Sequence, residues 1–307
     1  MTKVFIDGSA GTTGLRIRER LSYRKDISVY TLSDELRKDA SARKDAINNA
    51  DIAFLCLPDA AAVEAVSFVE NPDTAIIDTS TAHRTMAGWD YGFPELEGRR
   101  EKIAVSKRVA NPGCHASGFI ALVEPLIKAG LLSANELLSC TSLTGYSGGG
   151  KGMIAEYEAD DRNPLLDAPR LYGLTQQHKH LKEMVSISGI ESAPAFCPIV
   201  APFYSGMEVT VPLFKHQLNG TIDNVRDCYR EYYRNGLVRF EASDSEGGFL
   251  SAGALSGRDD MTVTVCGNED RLLLVSRYDN LGKGASGAAI QNMNILLGID
   301  EKTGLVC

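Results

Sequence analysis

The strongest constraint on this chain is an alternation in its first hundred or so residues. Short, almost unbroken apolar runs at residues 3–7, Ser28–Leu32, Asp51–Leu57 and Thr74–Asp78 are separated by helical patterns or charged stretches. A strand with one wet face alternates apolar and polar side chains. A run that is apolar throughout is covered on both faces, as in a parallel sheet flanked by helices. One helical pattern spans about Leu15–Leu21, and Pro58-Asp59 opens another that is rich in Ala and Val. The chain is therefore expected to begin with an α/β domain of the Rossmann type.

The first strand runs into Gly8-Ser9-Ala10-Gly11-Thr12-Thr13-Gly14. This G-x-x-G-x-x-G spacing is related to the dinucleotide fingerprint G-x-G-x-x-G without matching it. Glycines let the backbone approach a pyrophosphate, and the helix that follows offers free N–H groups and the positive end of its dipole. Read without a ligand, the loop is a tight turn. After the second strand an acidic residue favours NAD and a basic one NADP. Ser33-Asp34-Glu35-Leu36-Arg37-Lys38 carries both signs, so the residues leave that choice open.

The pattern changes after about residue 112. A helix is expected over Ala116–Ala129 and a strand over Leu137–Thr144. Met207–Phe214 and Met261–Val265 alternate like antiparallel strands with one wet face. A glycine-rich turn from Asn280 leads into a helix over Gly287–Leu297. The second domain reads as α+β with a mixed or antiparallel sheet. At 307 residues the chain has room for two domains.

Several classes are set aside. No run of 18 or more apolar residues is present, so no membrane helix is expected. The N-terminus enters a strand at once, and a cytoplasmic location is expected. The net charge of −8 argues against a nucleic-acid partner. The seven cysteines are odd in number and contain no Cys-x-x-Cys pair, so neither a disulfide framework nor a structural zinc site is expected. His178-Lys179-His180 lacks further ligands, and no metal is assigned.

One cysteine stands apart. In Asn111-Pro112-Gly113-Cys114-His115-Ala116-Ser117-Gly118 a turn signal precedes Cys114 and an apolar helical run follows it. A helix N-terminus favours the thiolate. Downstream, Gly145-Tyr146-Ser147-Gly148-Gly149-Gly150-Lys151-Gly152 approaches a Walker A loop but ends in Gly152, where Ser or Thr would hold magnesium. The nucleotide triphosphatase reading is rejected on that ground. Backbone N–H groups and one lysine remain able to hold a phosphate or oxyanion. His178 and His180 supply imidazoles to stabilise a thiolate and move protons. At i, i+2 they share a face only if the segment is extended, and on a helix they diverge.

These pieces together resemble the short-form N-acetyl-gamma-glutamyl-phosphate reductases. The matching segments are Gly8–Gly14, Tyr91–Leu96, Asn111–Cys114, Gly145–Lys151, His178–His180 and Asp279–Ala285, the last shared with the wider semialdehyde dehydrogenases. The sequence departs from His-x-His-x-Pro-Glu in carrying Lys182 where the family commonly has proline.

The resemblance implies NADPH-dependent reduction of N-acetyl-L-glutamyl 5-phosphate to the semialdehyde and phosphate through a Cys114 thioester, with His180 favoured over His178 as the acid. It implies that NADP(H) is held by Gly8–Gly14, Ser33, Arg37 and Pro58, with Asn280 and Gly282 at the nicotinamide. Ser147, Gly148, Gly149 and Lys151 are expected at the phosphate, and Arg84 and Arg108 at anionic substrate groups. The expected domains are 1–112 with 280–307 for the cofactor and 113–279 for catalysis, in a homodimer or homotetramer. Aspartyl phosphate and N-acetyl-aminoadipyl phosphate are alternative substrates for the same chemistry. A phosphotransferase using the Gly145–Lys151 loop and a non-catalytic NAD(P)-binding regulator are the readings from other classes; Gly152 counts against the first, and Cys114 with the histidine pair against the second.

Overall fold

The structure is a computed structural model describing residues 1–242 and 246–307. The chain divides into two compact units: Met1–Pro112 with Ala285–Leu305, and Gly113–Gly284 with Val306–Cys307.

The first unit contains β1 (Thr2–Asp7), α1 (Thr12–Ser22), β2 (Ile27–Tyr30), α2 (Ala40–Asn48), β3 (Ile52–Leu55), α3 (Asp59–Ser67), β4 (Ala75–Asp78), β5 (Asp90–Tyr91), α4 (Arg99–Val105) and β6 (Arg108–Ala110). Its sheet has the order β2-β1-β3-β4-β6-β5, and every pairing is parallel. The unbroken apolar runs have a direct cause. Val4, Ile6, Ile52, Phe54 and Ile77 face one core with Ile17 and Leu21 of α1 and with Ile290 and Met293 of the C-terminal helix Gly287–Leu296. Their neighbours Phe5, Ala53, Leu55 and Ile76 face the other core, with Ile47 and Ala65. The charged stretch after the second strand contains α2, which the sequence pattern did not mark. Asp39 caps it by accepting from the Ala42 N–H, and only Arg43, Ala46 and Ile47 are buried on it.

The second unit contains α5 (Cys114–Lys128), β7 (Ser139–Gly145), α6 (Gly150–Glu158), β8 (Arg170–Leu171), α7 (His180–Ser188), β9 (Ala195–Ala201), β10 (Met207–Phe214), α8 (Ile222–Tyr232), β11 (Val238–Phe240), β12 (Met261–Gly267) and β13 (Arg271–Tyr278). The sheet order is β11-β12-β13-β10-β7-β9-β8. Pairs β11–β12 and β7–β9 are parallel and the others antiparallel, so the sheet is mixed. Met207, Val209, Val211 and Leu213 are buried, and the residues between them are not. Against this buried face lies α5. A Cβ added at Gly118 would come within 2.6 Å of Val209 and the Tyr278 hydroxyl, so only glycine allows this approach.

Helix α5 carries Pro125 inside it, which removes the N–H that would serve the Ala121 carbonyl. The Tyr233 hydroxyl donates to that carbonyl at 2.7 Å, and Tyr229 donates to the Leu122 carbonyl at 2.5 Å.

The chain leaves the second unit between Gly284 and Ala285, five residues later than the expected boundary at 280. Buried Asp279 is the reason. Its carboxylate accepts from the N–H groups of Leu281, Gly282 and Gly257 and from the Ser205 hydroxyl, tying the turn to the second unit.

Candidate active site

Gly113 is extended and precedes α5 as its N-cap. Among the described residues no side chain caps the helix, and no acidic residue lies in its first turn, so Cys114 sits at the positive end of the dipole. The turn is fixed from three sides. Glu183 Oε1 accepts from the Gly113 N–H at 2.8 Å. The Ser117 hydroxyl donates to the Gly113 carbonyl at 3.0 Å. The Tyr278 hydroxyl donates to the Cys114 carbonyl at 2.5 Å and accepts from the Gly118 N–H at 3.1 Å. Gly284 passes so close that a Cβ there would stand 3.1 Å from that of Cys114. Three of the other thiols contrast with this setting. Burial pushes Cys56 up to about 12 and Cys228 to about 11, and Cys140 is raised as well.

His115 points into the protein and joins His178 and His180, at ring-centre distances of 5.5 and 5.6 Å. Its Nδ1 lies 2.7 Å from the Ser142 hydroxyl and its Nε2 lies 2.6 Å from the Tyr172 hydroxyl. Burial, and secondarily His178, pushes the His115 imidazole down to about 3, so the ring is neutral. His178 and His180 are 4.8 Å apart, centre to centre. They meet because the pair straddles a helix start: His178 precedes α7 and His180 opens it. The His180 N–H donates to His178 Nδ1 at 3.2 Å. His178 is also lowered, by burial and then by Lys179, so the neutral ring carries its proton on Nε2. Lys182 lies exposed in the first turn of α7 and leaves Glu183 buried.

The second glycine segment is a single 3-10 turn over Tyr146–Gly149 leading into α6. Ser147 is buried, and its hydroxyl accepts from the Asn280 amide at 3.0 Å. The carbonyl end of Asn280 accepts from the Gly206 N–H at 2.9 Å. Asn280 thus holds this turn in place from within the second unit. Gly282 is explained by packing, since a Cβ there would stand 1.9 Å from the Arg258 carbonyl oxygen. Gly148, Gly149 and Lys151 are solvent-facing.

In the first unit a cavity of about 550 Å³ is lined by Gly8, Ser9, Ala10, Gly11, Leu32, Arg37, Lys38, Arg43 and Pro58, among others. Gly8 has φ +82°, and a Cβ on it would come within 2.2 Å of the Cys56 carbonyl oxygen. A Cβ on Gly14 would come within 2.5 Å of the Gly8 carbonyl oxygen. The loop is therefore folded tightly back on β3 and leaves the start of α1 uncapped. The Thr12 hydroxyl is buried at that start with no protein partner among the described residues. Backbone cradle, uncapped helix and orphaned hydroxyl fit a pyrophosphate. Ser33 does not line the cavity; its carbonyl accepts from the Arg37 N–H at 2.9 Å and shapes the turn that brings Arg37 and Lys38 there. Asp34 points to solvent and pairs with Arg37 at 3.1 Å.

The dimerisation domain of semialdehyde dehydrogenases matches residues 114–280, and their NAD binding domain matches 23–106. N-acetyl-gamma-glutamyl-phosphate reductase 2 of Nostoc sp. is 45% identical, with 99% of each chain covered. The reductase of Brucella ovis is 46% identical over 96% of this chain and 99% of its own. The chain belongs to this reductase family. Among solved structures, aspartate semialdehyde dehydrogenase II of Vibrio cholerae aligns with a TM-score of 0.71 at 17% identity, covering 97% of this chain and 98% of the other. The Candida albicans enzyme, solved with NADP, gives 0.68 at 17%, covering 97% and 98%. At that identity the likeness concerns the fold.

Within this reductase the two candidate arginines part company. Arg84 is buried at the carboxyl edge of the first sheet, donating to the carbonyls of Asn111 at 2.9 Å and Thr79 at 3.0 Å. It steadies the strand end three residues before Cys114. Arg108 begins β6 at the opposite edge and donates to the carbonyls of Thr74 and Lys107. That placement removes it from the edge that carries Gly8–Gly14. Sequence reasoning missed Ser142, Tyr172 and Tyr278, and named Glu183 only as part of a motif. Nothing local marks them, because each acts on residues 27 to 164 positions away.

Proposed function

We propose that the chain reduces N-acetyl-L-glutamyl 5-phosphate to N-acetyl-L-glutamate 5-semialdehyde and phosphate at the expense of NADPH, through a Cys114 thioester. The observation carrying this reading is a cysteine at an uncapped helix start in the same unit as three clustered imidazoles, in a chain 45% identical to such reductases. The Cys114 thiolate adds to the acyl carbon, and the tetrahedral adduct expels phosphate to leave the thioester. The departing phosphate takes up a proton, which we assign to His180, because the Nδ1 lone pair of His178 already accepts the His180 N–H. NADPH, when bound, supplies the hydride that reduces the thioester carbonyl. Collapse of the hemithioacetal then releases the aldehyde and restores the thiolate.

Gly8, Ser9, Ala10, Gly11, Thr12, Thr13 and Gly14 would hold the pyrophosphate, with Pro58 beside them. Arg37 and Lys38, which face the cavity where Asp34 does not, favour a 2′-phosphate and so NADP over NAD. Ser147, Gly148, Gly149 and Lys151 are assigned to the substrate phosphate. We also infer a homo-oligomer. Helices pack on one face of the second sheet, while the other carries Leu143, Ile199 and exposed Leu171 and Leu273. A reducing compartment such as the cytoplasm suits the seven cysteines, none of which is in a disulfide among the described residues.

The reverse assay tests the substrate: NADP+ reduction with phosphate and N-acetylglutamate semialdehyde should exceed that with aspartate or N-acetyl-aminoadipate semialdehyde. Cys114→Ser should abolish turnover while sparing NADPH binding, and retained turnover would refute the thioester. His180→Asn should lower kcat about 100-fold or more, and His178→Asn clearly less. The reverse order would exchange their roles.

A further inference from the structure

The Ser142–His115–Tyr172 chain is left without a part in the reaction above, although it is centred on the residue next to Cys114. Ser142 is fully buried, and His115 Nδ1, at 2.7 Å, is the one hydrogen-bond partner of its hydroxyl among the described residues. A buried hydroxyl proton without an acceptor is costly, so Ser142 donates and Nδ1 accepts. The neutral imidazole has one proton, which this fixes on Nε2. Nε2 therefore donates to the Tyr172 oxygen, 2.6 Å away. With its oxygen accepting from His115, the Tyr172 O–H is turned elsewhere, and it has no other hydrogen-bond partner among the described residues.

We propose that Tyr172 is a catalytic hydrogen-bond donor to the anion at Cys114, first the thiolate and then the oxyanion of its acyl adducts, and that Ser142 and His115 are positioning residues that keep its O–H turned that way. Two electrostatic facts agree with it. The phenol is raised by burial and then by the charge on Cys114, so it stays protonated. His115 is held neutral, which the tautomer lock requires. No bond is made or broken by Tyr172. It holds a developing negative charge with a donor already in place, the arrangement in which such a donor contributes most to rate.

The inference rests on Cys114 as the nucleophile. Its test is a double-mutant cycle on the full-length enzyme in the reverse assay with N-acetylglutamate semialdehyde, phosphate and NADP+. Tyr172→Phe should lower kcat about 100-fold, in the range seen when one oxyanion donor is removed, and leave the KM for NADP+ within twofold. Ser142→Ala frees His115 to move its proton to Nδ1 and accept from Tyr172, so it should lower kcat about 10-fold with the tyrosine intact. In the Tyr172→Phe background it should cost nothing more. Equal cost in both backgrounds would overturn the lock, and a Tyr172→Phe kcat within twofold of wild type would overturn the donor.

A second measurement does not depend on turnover. The pH profile of iodoacetamide alkylation, followed on the Cys114 peptide by mass, should move up by about half a unit to one unit in Tyr172→Phe. The titratable groups around this cluster are Tyr172, His115, His178, His180, Glu183 and Tyr278, and the substitution leaves the other five in place. An unmoved profile would refute the contact with the thiolate. Turnover by Cys114→Ser would instead refute the nucleophile itself, so the two failures are distinguishable.

Discussion

At the scale of single residues, the site depends on neutral imidazoles held in one tautomer. His115 resists protonation down to about 3 because it is buried, whereas in the unfolded chain it titrates near 6.5. Between those values the unfolded state binds the extra proton, so stability falls as pH drops from about 6.5 toward 3, by up to ~1.4 kcal/mol per pH unit from this group. Above 6.5 the contribution is constant. Urea midpoints measured from pH 7 to 4.5 should therefore fall for the wild type and fall less steeply for His115→Gln. Parallel curves would mean that His115 titrates alike in the folded and unfolded states. The same residue shows what the sequence concealed. Its adjacency to Cys114 was legible, but its direction was not, because the second residue of a helix faces wherever the packing sends it.

At the scale of elements, α5 illustrates how a helix can be almost wholly buried and still contain a proline. The orphaned Ala121 carbonyl is satisfied by the Tyr233 hydroxyl at the end of α8. Tyr233→Phe should cost about 1–2 kcal/mol by chemical denaturation, as expected when a buried acceptor loses its donor. In a Pro125→Ala background the restored N–H can serve Ala121 instead, and the cost of Tyr233→Phe should shrink. Equal costs in both backgrounds would show that the hydroxyl acts through packing. The element boundaries follow similar local chemistry. Helix α7 begins at His180 rather than earlier, and this brings two imidazoles together that a continuous helix would have separated. Likewise, the turn after β13 stays with the second unit because Asp279 gathers three backbone N–H groups.

At the scale of the whole molecule, the mixed sheet of the second unit has, among the described residues, helices on one face alone. The other exposes Leu171 and Leu273, at 51% and 43% of their accessible surface. If that face joins copies of the chain, Leu273→Asp should convert a dimer or tetramer to monomer in light-scattering chromatography, with the secondary structure intact. A variant eluting with the wild type would place the interface elsewhere.

The order of apolar runs already contained the parallel sheet, because strands covered on both faces have no polar alternation to conceal. The glycine loop and the turn–cysteine–helix segment were likewise local, and their chemistry follows from backbone geometry within a few residues. Resemblance over the whole chain supplied the substrate class, which no single segment contains. What the tertiary structure decided is which groups hold the Gly113–His115 turn. Ser142, Tyr172, Glu183 and Tyr278 come from a strand, a loop, a helix and a second strand, and they meet only when α5 packs on the sheet. It also separated Arg84 from Arg108, which are alike as residue types but lie at opposite edges of one sheet. A contact between distant positions is set by how elements pack, and side-chain periodicity records which face is buried but not what lies against it.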